Sequence, residues 1–206
     1  MKTLFVLALL CCVQAGAAGK PVPLFDGKTF AGWEGDTNTT FRIENGAIVA
    51  GSFDKTVPRN EFLCTRAQYT NFILRLQFKL QGTNGFVNGG VQVRSQRVPK
   101  HFEVSGYQAD MGEGWWGALY DESRRNKVLI KPDPAVIEKA LKRNEWNDYE
   151  VRCQGKNIQV FLNGSRTIDY TEDDDKIPQF GILGLQVHGG GKTVVAYRQI
   201  TIEVLP

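Results

Sequence analysis

Apolar and polar residues alternate along most of the chain. Phe72, Leu74, Leu76, Phe78 and Leu80 face one way, while Ile73, Arg75, Gln77 and Lys79 face the other, which is the two-residue period of a half-buried strand. Val91 and Val93 alternate with Gln92 and Arg94, residues 146–153 alternate again, and residues 158–162 follow Gly155. Asn163-Gly164 is a hairpin turn leading into 166–170, and Glu44-Asn45-Gly46 joins 41–43 to 47–50 in the same way, because Asn-Gly accepts the left-handed backbone a tight turn needs. The last strands run over 180–188 and 193–204, around Gly189-Gly190-Gly191. Only residues 134–143 read as helix, with Pro134 in the first turn and Val136, Ile137, Ala140 and Leu141 on one face. Many strands with one short helix predict an all-β antiparallel sandwich.

Composition narrows the function. With 42% hydrophobic and 23% charged residues in 206, the chain is not disordered and makes one domain, over 18–206. A net charge of +3 is too small to mark a nucleic-acid-binding surface. Residues 1–17 read as a cleaved signal peptide: Lys2, an apolar run over 4–13, then Ala15-Gly16-Ala17, too short to span a membrane. The expected location is therefore periplasmic or secreted, with no membrane attachment after cleavage. Of the 4 cysteines, Cys64 and Cys153 lie beyond that segment. A disulfide between them and two buried thiols are equally open readings.

Familiar catalytic signatures are missing. There is no G-x-S-x-G, Walker A or H-E-x-x-H pattern, and His101 and His188 are the only histidines. No cofactor is called for, and a divalent metal stays open. Asp173-Asp174-Asp175 lacks the ligand spacing of a calcium loop. The E-x-D-x-x-E strand of laminarinase-type glycosidases is also absent, with Asp110-Met111-Gly112-Glu113 in its nearest place. Polar and aromatic residues crowd residues 84–126, where Trp115 and Trp116 could stack on sugar rings and Arg, Asp and Gln could bind hydroxyl pairs. Strand parity puts Arg94 on a polar face with Gln92 and Gln96, and sets Gln186 and His188 opposite Leu183, Leu185 and Val187.

Several short motifs in order resemble the 3-keto-disaccharide hydrolase domain family. They are Leu24-Phe25-Asp26-Gly27-Lys28-Thr29 with Gly32-Trp33, the strand 88–94, Gly106-Tyr107-Gln108 with Asp110, and Gly117-Ala118-Leu119-Tyr120. Trp146-Asn147 with Tyr149-Glu150, Leu162-Asn163-Gly164, and Gly184-Leu185-Gln186 with His188 complete the set. The resemblance implies a concanavalin-like jelly roll that cleaves glycosides already oxidised to a ketone at C3. Such chemistry needs one base, a cradle for the enolate oxygen and a proton donor. The expected base is His188 or Asp110, the enolate stabiliser Arg94, and the donor Tyr120 or Glu122. Gln92, Tyr107, Gln108, Trp115, Trp116, Arg124 and Gln186 are the expected substrate-binding residues. The alternative is a lectin-like carbohydrate-binding module without chemistry. In either case the partner is a small carbohydrate.

Overall fold

The computed structural model describes residues 19–206; the expected signal segment lies outside them. The strands are β1 (Val22–Pro23), β2 (Trp33–Glu34), β3 (Phe41–Glu44), β4 (Ala47–Gly51), β5 (Glu61–Thr65), β6 (Phe72–Gly85), β7 (Asn88–Arg97) and β8 (Val104–Gly112). Then come β9 (Leu119–Glu122), β10 (Lys127–Ile130), the helix α1 (Pro134–Ala140), β11 (Asn147–Gln154), β12 (Asn157–Leu162), β13 (Ser165–Thr171), β14 (Ile182–Val187) and β15 (Gly191–Val204). They pair into two antiparallel sheets, an eight-stranded one ordered β13-β12-β11-β6-β15-β4-β3 with β1 beside β15, and a seven-stranded one ordered β10-β9-β8-β7-β14-β5-β2. The expected sandwich is therefore the fold.

Alternation does the building. Phe72, Leu74, Leu76, Phe78 and Leu80 of β6 are buried against Val91, Val93, Leu185 and Val187 of the opposite sheet, in one continuous core. Burying side chains of this kind stabilises by roughly 1.5–3 kcal/mol each, which is why register is set wherever one face meets the core. Asn163 (φ 47°) and Gly164 (φ 79°) form the expected left-handed turn between β12 and β13. The helix stops three residues earlier than its pattern suggests. Asp133 caps its start by accepting from the Ala135 amide, while Leu141 at its end is already extended.

Both cysteines are free and buried, so the disulfide reading is set aside. Cys153 packs in the main core, whereas Cys64 belongs to a separate cluster with Phe62, Val104 and Ile182. That cluster lies on the outer face of the seven-stranded sheet, so the two thiols are separated by a strand layer. Burial pushes both up to about 12, which leaves them protonated and unreactive.

Candidate active site

The outer face of the seven-stranded sheet is polar and largely buried. Gln108 and Asp110 project from β8, Tyr120 and Glu122 from β9, and Gln186 from β14, each pair two residues apart and so on one side. Register brings them into rows: Gln108 pairs with Tyr120, and Asp110, Gly90 and Gln186 follow one another across β8, β7 and β14. Gly90 is needed there, because a Cβ on it would stand 2.6 Å from Cδ of Gln108.

These strands form the floor of a cleft of ≈ 180 Å³, lined by Phe86, Asn88, Gln108, Asp110, Trp115, Tyr120, Glu122 and His188. The volume is below that of a pocket for a whole drug-sized ligand, so it suits one ring of a larger molecule. Trp115 stands edge-on to Tyr120 with ring centroids 5.8 Å apart, and Phe86 packs edge-on against His188 at 4.6 Å. The cleft therefore has aromatic walls and an acidic floor.

Asp110 is almost wholly buried, and its carboxyl is pushed from 3.8 up to about 7, mainly by burial and further by the charge of Glu122. Its Oδ1 accepts from Asn88 Nδ2 and Gln108 Nε2, both at 3.2 Å, and neither side chain engages Oδ2. Glu122 also rises to about 7, through burial and then the nearby Glu103 carboxylate, and accepts from Gln186 Nε2 at 3.5 Å. Tyr120 is raised above its ordinary value by burial and by the charges of Glu122, Asp110 and Asp121, which makes it the weaker proton donor of the group. His188 Nδ1 lies 2.6 Å from the Gly189 carbonyl. A carbonyl only accepts, so Nδ1 carries a proton, and in the neutral tautomer this leaves the lone pair on Nε2. Two buried amide oxygens, Asn88 Oδ1 and Gln186 Oε1, have no donor among the described residues. Each such acceptor costs about 1–3 kcal/mol, a cost that a sugar hydroxyl would offset.

The structure thus gathers Asp110, Glu122, Tyr120, His188, Gln108 and Trp115, with Gln186 and Gln92 just behind. Gln92 is buried and donates to Gln108 Oε1 at 2.6 Å, so it orients the lining residue and does not itself line the cleft. Four expected residues lie elsewhere. Arg94 sits at a β-bulge between Val93 and Gln96, with φ 48°. The extra residue reverses parity and sends its side chain inward, where it donates to the carbonyls of Thr70 (2.8 Å) and Gly155 (2.7 Å) and to Gln179 Oε1 (2.7 Å). It joins the two sheets and cannot stabilise an enolate in the cleft. Tyr107 is a core residue whose hydroxyl donates to Glu172 at 2.7 Å. Arg124 is held by the buried Asp121 and lies 4.5 Å from the Tyr107 ring. Trp116 stacks on Phe78 at 6.2 Å, away from the cleft.

Two lining residues escaped the sequence reading. Asn88 opens the strand 88–94, where nothing in the sequence marks it as a lining residue. Phe86 is exposed in the turn between β6 and β7, and its only signal is an aromatic standing alone in the Gly-Thr-Asn-Gly-Phe turn. Among the described residues no group of three or more His, Cys, Asp or Glu side chains is placed to hold a metal ion.

A jelly-roll sandwich with an aromatic, carboxyl-floored cleft defines a carbohydrate-active domain. Comparison with protein families agrees: residues 20–203 match the 3-keto-alpha-glucoside-1,2-lyase-like domain. The chain belongs to that family. A comparison with curated proteins found no match. Among solved structures, the chain is similar to a "putative glycosyl hydrolase" from Parabacteroides distasonis ATCC 8503, with TM-score 0.67, 19% identity, and coverage of 91% of this chain and 94% of that one. It is also similar to the carbohydrate binding module CBM66 from Bacillus subtilis, with TM-score 0.64, 17% identity, and coverage of 84% and 95%. At these identities the likeness concerns the fold.

Proposed function

We propose that the protein cleaves glycosides bearing a ketone at C3 of the sugar, by removing the C2 proton and eliminating the group at C1. The observation that carries this reading is the pair of carboxyls, Asp110 and Glu122, both raised to about 7 in one cleft with His188. Carboxyls held protonated near neutrality can donate, while a neutral imidazole accepts.

His188 Nε2 takes the C2 proton. The C–H electron pair becomes the C2–C3 π bond, and the ketone oxygen takes up the negative charge, which the proton on Asp110 Oδ2 stabilises. This role replaces the one expected of Arg94. The pair then returns to re-form the C3 carbonyl as C1=C2 forms and the C1–O bond breaks. Glu122 gives its proton to the departing oxygen, a better donor than Tyr120 with its raised hydroxyl. Trp115 and Phe86 hold the ring. Later addition of water across C1=C2 would make the outcome a net hydrolysis. The apolar segment 4–13 supports export of the protein, which N-terminal sequencing of secreted material would test.

The test compares turnover of a 3-keto glucoside with that of its unoxidised parent. The ketone should react and the parent should not, because only the ketone acidifies C2. His188→Ala should lower turnover about 100- to 10,000-fold, the usual contribution of a positioned base. Equal rates on both substrates would sink the elimination. Full activity in the variant would move the base elsewhere, and sugar binding without turnover would favour the binding-module reading.

A further inference from the structure

We propose a second saccharide site on the outer face of the eight-stranded sheet, for a glycan that carries carboxylate or sulfate groups. It stands independently of the catalytic reading above, because the sandwich separates this face from the cleft.

The alternation of an exposed sheet face is broken here. On β15, Val195 and Tyr197 fill the core, yet Val194 and Ala196 on the other side are also apolar, as are Ala47 and Val49 of β4. A solvent-facing sheet ordinarily carries polar residues at such positions. Register lines up Lys79, Ala196, Val49 and Arg42 in one row across β6, β15, β4 and β3. Small apolar side chains therefore make a flat floor about 14 Å across, three inter-strand spacings, with a cation at each end. The resulting trough has a volume of ≈ 730 Å³, large enough for several sugar units where the catalytic cleft holds one.

The charges are unequal at the two ends. Arg42 is paired with Glu44, and Asp54 also lines that region. At the other end Lys79 and Arg198 flank Trp146, with Nζ and Cζ at 5.4 and 4.0 Å from the ring centroid. Gln77 Oε1 accepts from Arg198 Nε at 2.8 Å, which fixes the guanidinium plane against the indole. Neither Lys79 nor Arg198 makes an ion pair among the described residues, so both remain free for an anion. A stacked, oriented guanidinium presents its two Nη groups as a fork that fits a carboxylate or sulfate. Beside it the half-exposed Trp146 and Val194, packed over the buried Ala47, Val49 and Ala196, offer an apolar surface that suits the C–H face of a sugar ring. This combination favours an anionic saccharide over a nucleic acid, whose charged backbone calls for a longer run of free cations.

The test is calorimetric titration of the whole protein with polygalacturonate, dextran sulfate and neutral dextran at about 0.15 M salt, where exposed charges more than about 8 Å apart are screened. The wild type should bind one or both anionic polymers and not neutral dextran; the stronger of the two identifies carboxylate or sulfate as the ligand group. The double variant Lys79→Ala/Arg198→Ala should bind about tenfold more weakly or worse, with 3-keto glucoside turnover unchanged and melting temperature lowered only slightly by loss of the contacts to Trp146 and Gln77. Lys127→Ala/Lys139→Ala removes the same charge elsewhere and should bind like the wild type. An equal loss in that control would show nonspecific attraction and overturn the site. So would failure of both anionic polymers to bind, or tighter binding of single-stranded DNA than of either polymer.

Discussion

Replacing Asp110 by asparagine should make the protein more stable above neutral pH. The carboxyl is buried beside Glu122, and its proton is released only at about 7 instead of 3.8. Below about pH 4 both folded and unfolded states hold that proton. Between about 4 and 7 the unfolded chain releases it and the native state keeps it, so stability falls as pH rises. Above about 7 the buried carboxylate is ionised and the full penalty applies. At ~1.4 kcal/mol per pH unit, the interval amounts to about 4 kcal/mol. Asparagine keeps the shape and an oxygen that can accept from Asn88 and Gln108, yet never ionises. Some of the gain is lost through imperfect pairing of its amide, so about 2–4 kcal/mol should appear at pH 8. For a domain of this size that is roughly 5–15 °C in melting temperature. Thermal melts of both proteins from pH 4.5 to 8.5 test this. The curves should nearly meet at the acid end and separate steadily toward pH 8. Glu122 titrates in both proteins, so its contribution largely cancels in the difference. A variant less stable than wild type at pH 8, or a gap that does not change with pH, would refute the argument. The carboxylate would then be held by its two amide donors without strain. A gain in stability together with lost turnover is what a strained catalytic carboxyl predicts.

Arg94→Ala should cost about 3–5 kcal/mol, because it leaves the carbonyls it joins without a donor and opens a cavity at the end of the core; the folded variant should keep turnover within about threefold, and a collapse of activity at unchanged melting temperature would return Arg94 to the site. Phe86→Ala should raise KM by up to about tenfold, from loss of ~0.5–1.5 kcal/mol of ring contact, with little change in melting temperature because the side chain is exposed; an unchanged KM would show that the sugar ring does not reach it.

Strand parity carries most of the fold, and the same parity explains which site residues could be read from the chain. Gln108 and Asp110 stand two apart on β8, as do Tyr120 and Glu122 on β9, so each pair had to share a face. Tyr107 precedes Gln108, and on an extended strand the two must point to opposite sides. Both could not line one cleft, and the structure gives the core the tyrosine. Trp115 and Trp116 divide in the same way, although in a turn the sequence does not say which goes where. Arg94 is different. In a regular strand its parity would put it on the polar face, but a single inserted residue reverses it, and no turn residue such as Gly or Asn announces the bulge.

What alternation cannot supply is strand order. His188 and Asp110 lie far apart in the chain and meet only because β14 pairs with β7, which pairs with β8. The bulge on β7 also removes the expected arginine from the cleft. With Arg94 turned into the sandwich, the cleft offers no arginine or lysine among its lining residues. On the proposed mechanism, negative charge that develops there is met by neutral donors and by the imidazolium that His188 becomes on taking the C2 proton. If the proposed elimination holds, the burial that keeps Asp110 protonated near neutrality serves the reaction and is not a defect of the fold. The same burial makes Asp110 costly once ionised. The stability cost at high pH and the enolate-stabilising role proposed for Asp110 would then be two consequences of one buried carboxyl.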